Sequence, residues 1–221
     1  MNNSNLGIHD GVHFVAEDFQ DFVEEDSFLP SQRGHLYKWI GGYPLGMGGQ
    51  GMVGLWIGTT RSGRIMKRLA IKRSRMLRRR WIAAENWIGP IRTGVPMGVH
   101  AHRRLSKLSK RHFLQYLSHR IEPDAHQVLT FAEYCPYGSL DDVLAELRRI
   151  ARANGTEPHH IPEAWLWFLF QELAEANHYM ANAVRQEDVF AVHCDLKPDN
   201  VFLVEPDNTV HEHRYYPIPK V

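Results

Sequence analysis

His193-Cys194-Asp195-Leu196-Lys197-Pro198-Asp199-Asn200 runs directly into the apolar, β-prone stretch Val201-Phe202-Leu203. An acid, a lysine two residues on and an amide five residues on share one turn at the mouth of a strand. Such a turn can orient a hydroxyl, neutralise a phosphate and ligate a metal.

Upstream, Gly46-Met47-Gly48-Gly49-Gln50-Gly51-Met52-Val53 fits G-x-G-x-x-G-x-V between two strand-like runs, Tyr37–Ile40 and Met52–Gly58. Glycines let backbone N–H groups approach phosphate oxygens without obstruction, although the same cluster also suits a plain flexible turn. A strand rather than a helix follows, which disfavours a dinucleotide-binding loop. A third strand, Ile65–Ile71, leads into Leu69-Ala70-Ile71-Lys72, where a lysine ending an apolar strand either snorkels to water or holds an anion. Val128–Ala132 reads as a further strand. Ser139-Leu140-Asp141-Asp142 reads as a capping box that opens a helix with Leu140, Val143, Leu144, Leu147 and Ile150 on its apolar face. Asn154–Pro162 reads as a loop, and a long helix follows with Leu166, Leu169, Leu173, Ala176 and Met180 at helical spacing. Val201–Val204 is a strand and Pro206-Asp207-Asn208 a turn. Strands in one half and helices in the other predict an α+β fold of two unequal lobes.

From Tyr37 to Val221 the chain resembles a eukaryotic protein kinase, with glycine loop, strand lysine and catalytic loop in the right order. Phe131-Ala132-Glu133-Tyr134-Cys135-Pro136-Tyr137-Gly138-Ser139-Leu140 resembles the hinge after a gatekeeper, here Ala132. The resemblance implies ATP and Mg²⁺ as cofactors and a protein Ser/Thr hydroxyl as acceptor. It places Gly46, Gly48, Gly49 and Gly51 around the phosphates and Val53 and Ala70 about the adenine, with the backbone of Glu133 and Cys135 at its edge. It assigns Lys72 to the α- and β-phosphates, Asp195 to the substrate proton, Lys197 to the γ-phosphate and Asn200 to the metal. The Asp-Leu-Lys-Pro-Asp-Asn wording is similar to serine/threonine kinases. The long connections around Trp81–Met97 and Gln186–Phe190 resemble fungal ones. The expected organisation is an acidic arm over 1–35, an N-lobe with hinge over 36–135 and a partial C-lobe over 136–221.

Three departures accompany the matches. The glutamate expected to pair with the strand lysine falls at Gly98, with Glu85 the next acid upstream. Cys194 stands where an arginine usually precedes the base. Pro217-Ile218-Pro219-Lys220-Val221 occupies the place where Asp-Phe-Gly would begin, so phosphotransfer is expected to be incomplete in this chain. The alternative is a catalytically inactive, nucleotide-binding pseudokinase or interaction module.

Composition narrows the classes further. Of 221 residues 43% are hydrophobic and 23% charged, which is globular rather than disordered. The longest apolar run, Ala164–Phe170, is too short to span a membrane, and no secretory signal opens the chain. Two cysteines suit a reducing, intracellular compartment, cytoplasm or nucleus. Residues 1–35 hold seven acids against Arg33, with Val15, Phe19 and Phe22 at i, i+4, i+7. Residues 61–120 hold seventeen Lys and Arg against Glu85. That basic stretch reads either as a surface for an acidic partner or as a solvated face screened by the acidic arm, the commoner case. With a net charge of +1, nucleic acid is not the expected partner. Cys194 beside Asp195 reads as an inert thiol, and the pairs His100/His102 and His211/His213 as surface histidines rather than zinc ligands. Trp165–Phe170 is apolar all round its helix and reads as packing surface that needs cover on several sides, which the later C-lobe helices would supply in a kinase.

Overall fold

The computed structural model describes residues 37–48, 51–91, 93–183, 193–207 and 215–221. The acidic arm, Gly49, Gln186–Phe190, Asn208 and His211/His213 lie outside the described residues. The chain divides into two compact units, one reaching to His100 and including Tyr116–Tyr134, the other formed by Ala101–Gln115 and Cys135–Val221.

The first unit is built on a five-stranded antiparallel sheet of order β1-β2-β3-β7-β6. Its strands are β1 (Tyr37–Gly48), β2 (Gly51–Thr60), β3 (Ile65–Arg75), β6 (Tyr116–Glu122) and β7 (Gln127–Glu133). The expected strands are all present but longer; β3 continues past Lys72 to Arg75, so that lysine is interior to its strand rather than at its end. Strand β6 was not foreseen, because Tyr-Leu-Ser-His-Arg-Ile-Glu is an edge strand with Leu117 and Ser118 in solvent and lacks a clean alternation. Between β3 and β7 lie the single helical turn α1 (Arg78–Trp81), the two-residue pair β4 (Trp87–Ile88) and β5 (Val95–Pro96), and helix α2 (Met97–Leu108). Trp81 and Trp87 meet edge to face at 4.8 Å, and the Trp87 indole donates to the Trp81 carbonyl. With Val99 of α2 they cover Val128 on one face of the sheet.

The second unit carries α3 (Leu140–Asn154), α4 (Glu163–Ala183) and the short antiparallel pair β8 (Phe202–Val204) and β9 (Ile218–Lys220). The capping box is as read from sequence: Asp142 N–H donates to Ser139 Oγ (3.1 Å), and Asp142 Oδ2 accepts from Ser139 N–H (2.7 Å). Gly155 ends α3 in the left-handed region at φ +63°. The apolar run in α4 divides by face. Trp165, Phe168 and Leu169 are buried against Leu140, Val201, Leu203 and Ile218, whereas Trp167 is 68% and Phe170 62% exposed. Cover for the inner face comes from β9 and its neighbours, with the Trp165 indole donating to the Pro217 carbonyl at 3.2 Å. Over Trp165–Phe170 the helix is therefore apolar all round, with one side covered by the described residues and Trp167 and Phe170 outside that cover. No helix among the described residues is long and apolar enough to cross a membrane.

Candidate functional site

Antiparallel register decides which side chains of the first unit can act together. Val53 lies opposite Lys72, Leu55 opposite Ala70, and Ala70 opposite Ala132. Because side chains alternate, Val53, Leu55, Ala70, Lys72, Thr130 and Ala132 share one face, the face on which Val128 meets Val99. Two alanines side by side leave that face shallow beside Lys72.

The glycine hairpin feeds the same face. Gly46 pairs with Val53 and Gly48 with Gly51. Its glycines differ in what constrains them. A Cβ at Gly46 or Gly48 would meet nothing within 4 Å. Gly51 sits at φ +137°, and a Cβ there would run into the backbone of Arg73 and Ser74. Protein packing thus requires glycine at 51 but not at 46 or 48. We expect Gly51→Ala to lower the melting midpoint by several degrees, in line with about 1–3 kcal/mol of backbone strain. Gly46→Ala and Gly48→Ala should leave the midpoint within a degree or two.

Burial lowers the Lys72 pKa, and it is the one cause acting on the amine: no charged or hydrogen-bonding neighbour offsets it among the described residues. Helix α2 has the sequence Met-Gly-Val-His-Ala-His-Arg-Arg-Leu-Ser-Lys-Leu and contains no acid. Gly98 is its second residue, exposed, with open space where a side chain would begin. Glu85 is exposed on the 3₁₀ turn Ala84–Asn86. Neither position supplies Lys72 with a carboxylate.

In the second unit the loop 193–200 forms a compact polar turn. Cys194 is exposed and left-handed at φ 58°, swinging the chain into Asp195. Lys197 precedes the 3₁₀ turn Pro198–Asn200, in which proline pre-sets φ and Asn200 N–H donates to the Lys197 carbonyl at 2.9 Å. That turn folds Asn200 back, so its Nδ2 donates both to Asp195 Oδ2 (2.9 Å) and to the Asp195 carbonyl (2.7 Å). Lys197 Nζ lies 3.8 Å from Asp195 Oδ2 and 3.7 Å from Asp199 Oδ2. These are exposed contacts, each worth less than about 1 kcal/mol, so they orient groups rather than hold the fold. Asp195, Lys197 and Asn200 are brought together, as their spacing suggests. The role of Asp199 as a second carboxylate on Lys197 was missed by sequence reasoning; its i+2 position in the same turn was the available signal.

Magnesium takes near-octahedral oxygen ligands. With Nδ2 committed to Asp195, Asn200 offers one amide oxygen, and no group of three acidic, histidine or cysteine side chains able to hold a metal occurs among the described residues. These residues do not by themselves make a magnesium site.

The hinge residues are distributed over both units. Glu133 closes β7 opposite Leu69, on the face away from Lys72. Cys135 is buried and its carbonyl accepts from Gly138 N–H at 3.2 Å in a tight turn. That turn is clasped to the strand after the polar loop: Leu140 N–H donates to the Val201 carbonyl and Leu203 N–H to the Gly138 carbonyl.

No protein-family model and no curated protein matches this chain. Among solved structures, the crystal structure of BubR1 kinase domain is similar, with a TM-score of 0.53 at 16% identity over 85% of this chain and 47% of that one. This chain thus spans about half the length of that structure. The fold is α+β and protein-kinase-like, with a β-rich N-lobe and a helical C-lobe portion.

Proposed function

We propose that this chain is a nucleotide-binding, pseudokinase-type domain that binds ATP without completing phosphotransfer. Residues 36–135 would act as N-lobe with hinge, 136–221 as C-lobe portion and 1–35 as an acidic arm. The observation that carries the reading is Lys72, a desolvated cation with no carboxylate partner among the described residues, beside a shallow alanine-lined face and a hairpin whose glycines 46 and 48 are not required by packing. A partly buried, desolvated ammonium is costly, and an anionic ligand is the natural way to offset it. Phosphates cradled by Gly46, Gly48, Gly49 and Gly51 and held by Lys72 meet that need. Val53 and Ala70 would flank the base, and the backbone of Glu133 and Cys135 would contact its edge.

A second reading, a protein Ser/Thr kinase, is favoured by one observation: Asn200 orients Asp195 beside Lys197, as a base that accepts a hydroxyl proton requires. Against it stand the acid-free α2 and the lack, among the described residues, of a three-ligand group able to hold a metal ion.

Titration with a non-hydrolysable ATP analogue decides the binding claim. Lys72→Met should weaken binding at least tenfold while holding or raising the melting midpoint, since it removes a desolvated charge and keeps the stem. Gly48→Ala should weaken binding with no change in midpoint. Absence of binding in the native chain, or binding indifferent to both substitutions, would remove the proposal. Radiolabel transfer to a protein that vanishes in Asp195→Asn would replace the pseudokinase reading with the kinase one.

The sign of the pH dependence follows from Lys72. Its folded pKa lies below the unfolded value near ~10.4, so burying the charged form costs stability at neutral pH. That cost is relieved as pH rises through the folded value towards ~10.4, so the Lys72 contribution to stability improves there as anion binding weakens. Comparing the native chain with Lys72→Met between neutral and alkaline pH should show the two midpoints converging.

A further inference from the structure

Just past the end of α2, in the second unit, Ser109, His112, Glu172 and Glu175 form a hydrogen-bonded chain that the nucleotide site does not use. Ser109 Oγ lies 2.7 Å from His112 Nδ1. On the other side of the ring, His112 Nε2 lies 3.0 Å from Glu175 Oε2 and 3.4 Å from Glu172 Oε2. The direction of each link follows from what its partners can accept. Glu172 is paired with the Arg111 guanidinium, and the Gln171 amide first, then His112 and Arg111, hold the Glu175 carboxyl below its usual pKa. Ionised carboxylates only accept, so Nε2 carries the ring proton. In the neutral ring Nδ1 is then a lone pair, and the Ser109 hydroxyl is its donor. The His112 backbone N–H donates to the same Oγ at 3.3 Å, so that oxygen accepts one proton and gives its own to the ring.

Hydroxyl, imidazole and carboxylate in that order activate a serine: the ring takes the hydroxyl proton as the oxygen attacks, and the carboxylate stabilises the imidazolium that forms. The base is held firmly. His112 is 4% and Glu172 3% exposed, Arg111 clamps both Glu172 oxygens, the Tyr179 ring stands 5.1 Å from the imidazole, and Val221 N–H donates to the His112 carbonyl. Ser109 itself is half-buried between the exposed residues Leu108 and Lys110, so its oxygen is reached from solvent. The next two backbone N–H groups, of Lys110 and Arg111, donate to no backbone carbonyl among the described residues and are available to a developing oxyanion.

We infer that Ser109 is the nucleophile of an acyl-transfer site that takes activated carboxylic esters, with His112 as its base and Glu172 and Glu175 as the positioning residues. Ser109 Oγ bonds to the acyl carbon while its proton passes to His112 Nδ1. The bond from that carbon to the ester oxygen breaks, and the imidazolium returns the proton to the leaving alcohol. Water, deprotonated by the same ring, then releases the acyl group as the carboxylic acid and restores the hydroxyl.

A fluorophosphonate probe on the full chain, with peptide mass spectrometry, tests this. The phosphonyl group should be found on Ser109, fluoride having left. Its rate of attachment should fall at least tenfold in His112→Gln. Glu175 is half exposed, so Glu175→Gln should keep the melting midpoint and still slow the attachment severalfold, which a purely structural network would not show. With p-nitrophenyl acetate, Ser109→Ala should abolish the stoichiometric burst of nitrophenol. A native chain that gains no adduct at Ser109 would overturn the inference, as would attachment at Ser109 that proceeds equally fast in Glu175→Gln and in a folded His112→Gln.

Discussion

Glu172→Ala is expected to destabilise the chain by about 3 kcal/mol, the low end of what breaking a buried ion pair from one side costs, because the Arg111 side chain is 31% exposed. Glu172 is 3% exposed on the inner face of α4 and receives the Arg111 guanidinium on both oxygens, through Nε at 3.0 and 2.9 Å and Nη2 at 2.6 Å. His112, equally buried, stands 3.4 Å from its other oxygen and 3.0 Å from Glu175, with Ser109 Oγ 2.7 Å from its second ring nitrogen. Removing the carboxylate leaves a guanidinium and an imidazole facing a hole in the second unit. Glu172→Gln keeps the volume and part of the hydrogen bonding, so it should lose less. Denaturant midpoints at constant slope check both; a loss under about 1 kcal/mol for Glu172→Ala would mean that water replaces the carboxylate at little cost. The hydrogen bond from Gln171 and the nearby His112 and Arg111 hold the Glu175 carboxyl below its usual pKa. Its contribution is present above the unfolded value near ~4.3 and is lost as pH falls through the lower folded value. Glu175 is half exposed, so that acid-side loss is small beside the Glu172 effect.

Trp56→Ala should cost a comparable amount, about 3–5 kcal/mol, by emptying the middle of the first unit's cluster. Trp56 sits at 0% exposure among Met52, Leu69, Ile71, Leu129 and Phe131. Neighbours fixed to strands on both sides cannot collapse into the space, so the cavity persists. Trp56→Phe keeps most of the apolar surface and should cost about half as much. Equilibrium unfolding followed by far-UV circular dichroism reads both without depending on the lost indole. A change under about 1 kcal/mol for the alanine variant would indicate a face open to solvent instead of a packed one.

Sequence order was enough to place the strands around the glycine hairpin, the Ser139–Asp142 capping box, the two long helices and the polar turn at Asp195. Each of these is set by neighbours within a few residues: alternation in β2 and β3, a cap and its reciprocal carboxylate, a proline that forces the 198–200 turn. The contact of Asn200 with Asp195 was legible for the same reason, five residues apart in one turn. Tertiary structure alone decided the rest. The sequence pointed to Gly98 or Glu85 as partner positions for Lys72, but whether that amine meets a carboxylate depends on what packs over the sheet, and no acid reaches it among the described residues. The apolar run Trp165–Phe170 is uniform in sequence, yet Ile218 and Pro217, about fifty residues later, bury one side and leave Trp167 and Phe170 in water. Glu172 looks like any helix-surface acid until Arg111 and His112, some sixty residues away in the chain, are folded against it. Burial is a property of distant segments meeting, and local periodicity carries no information about which face they will meet.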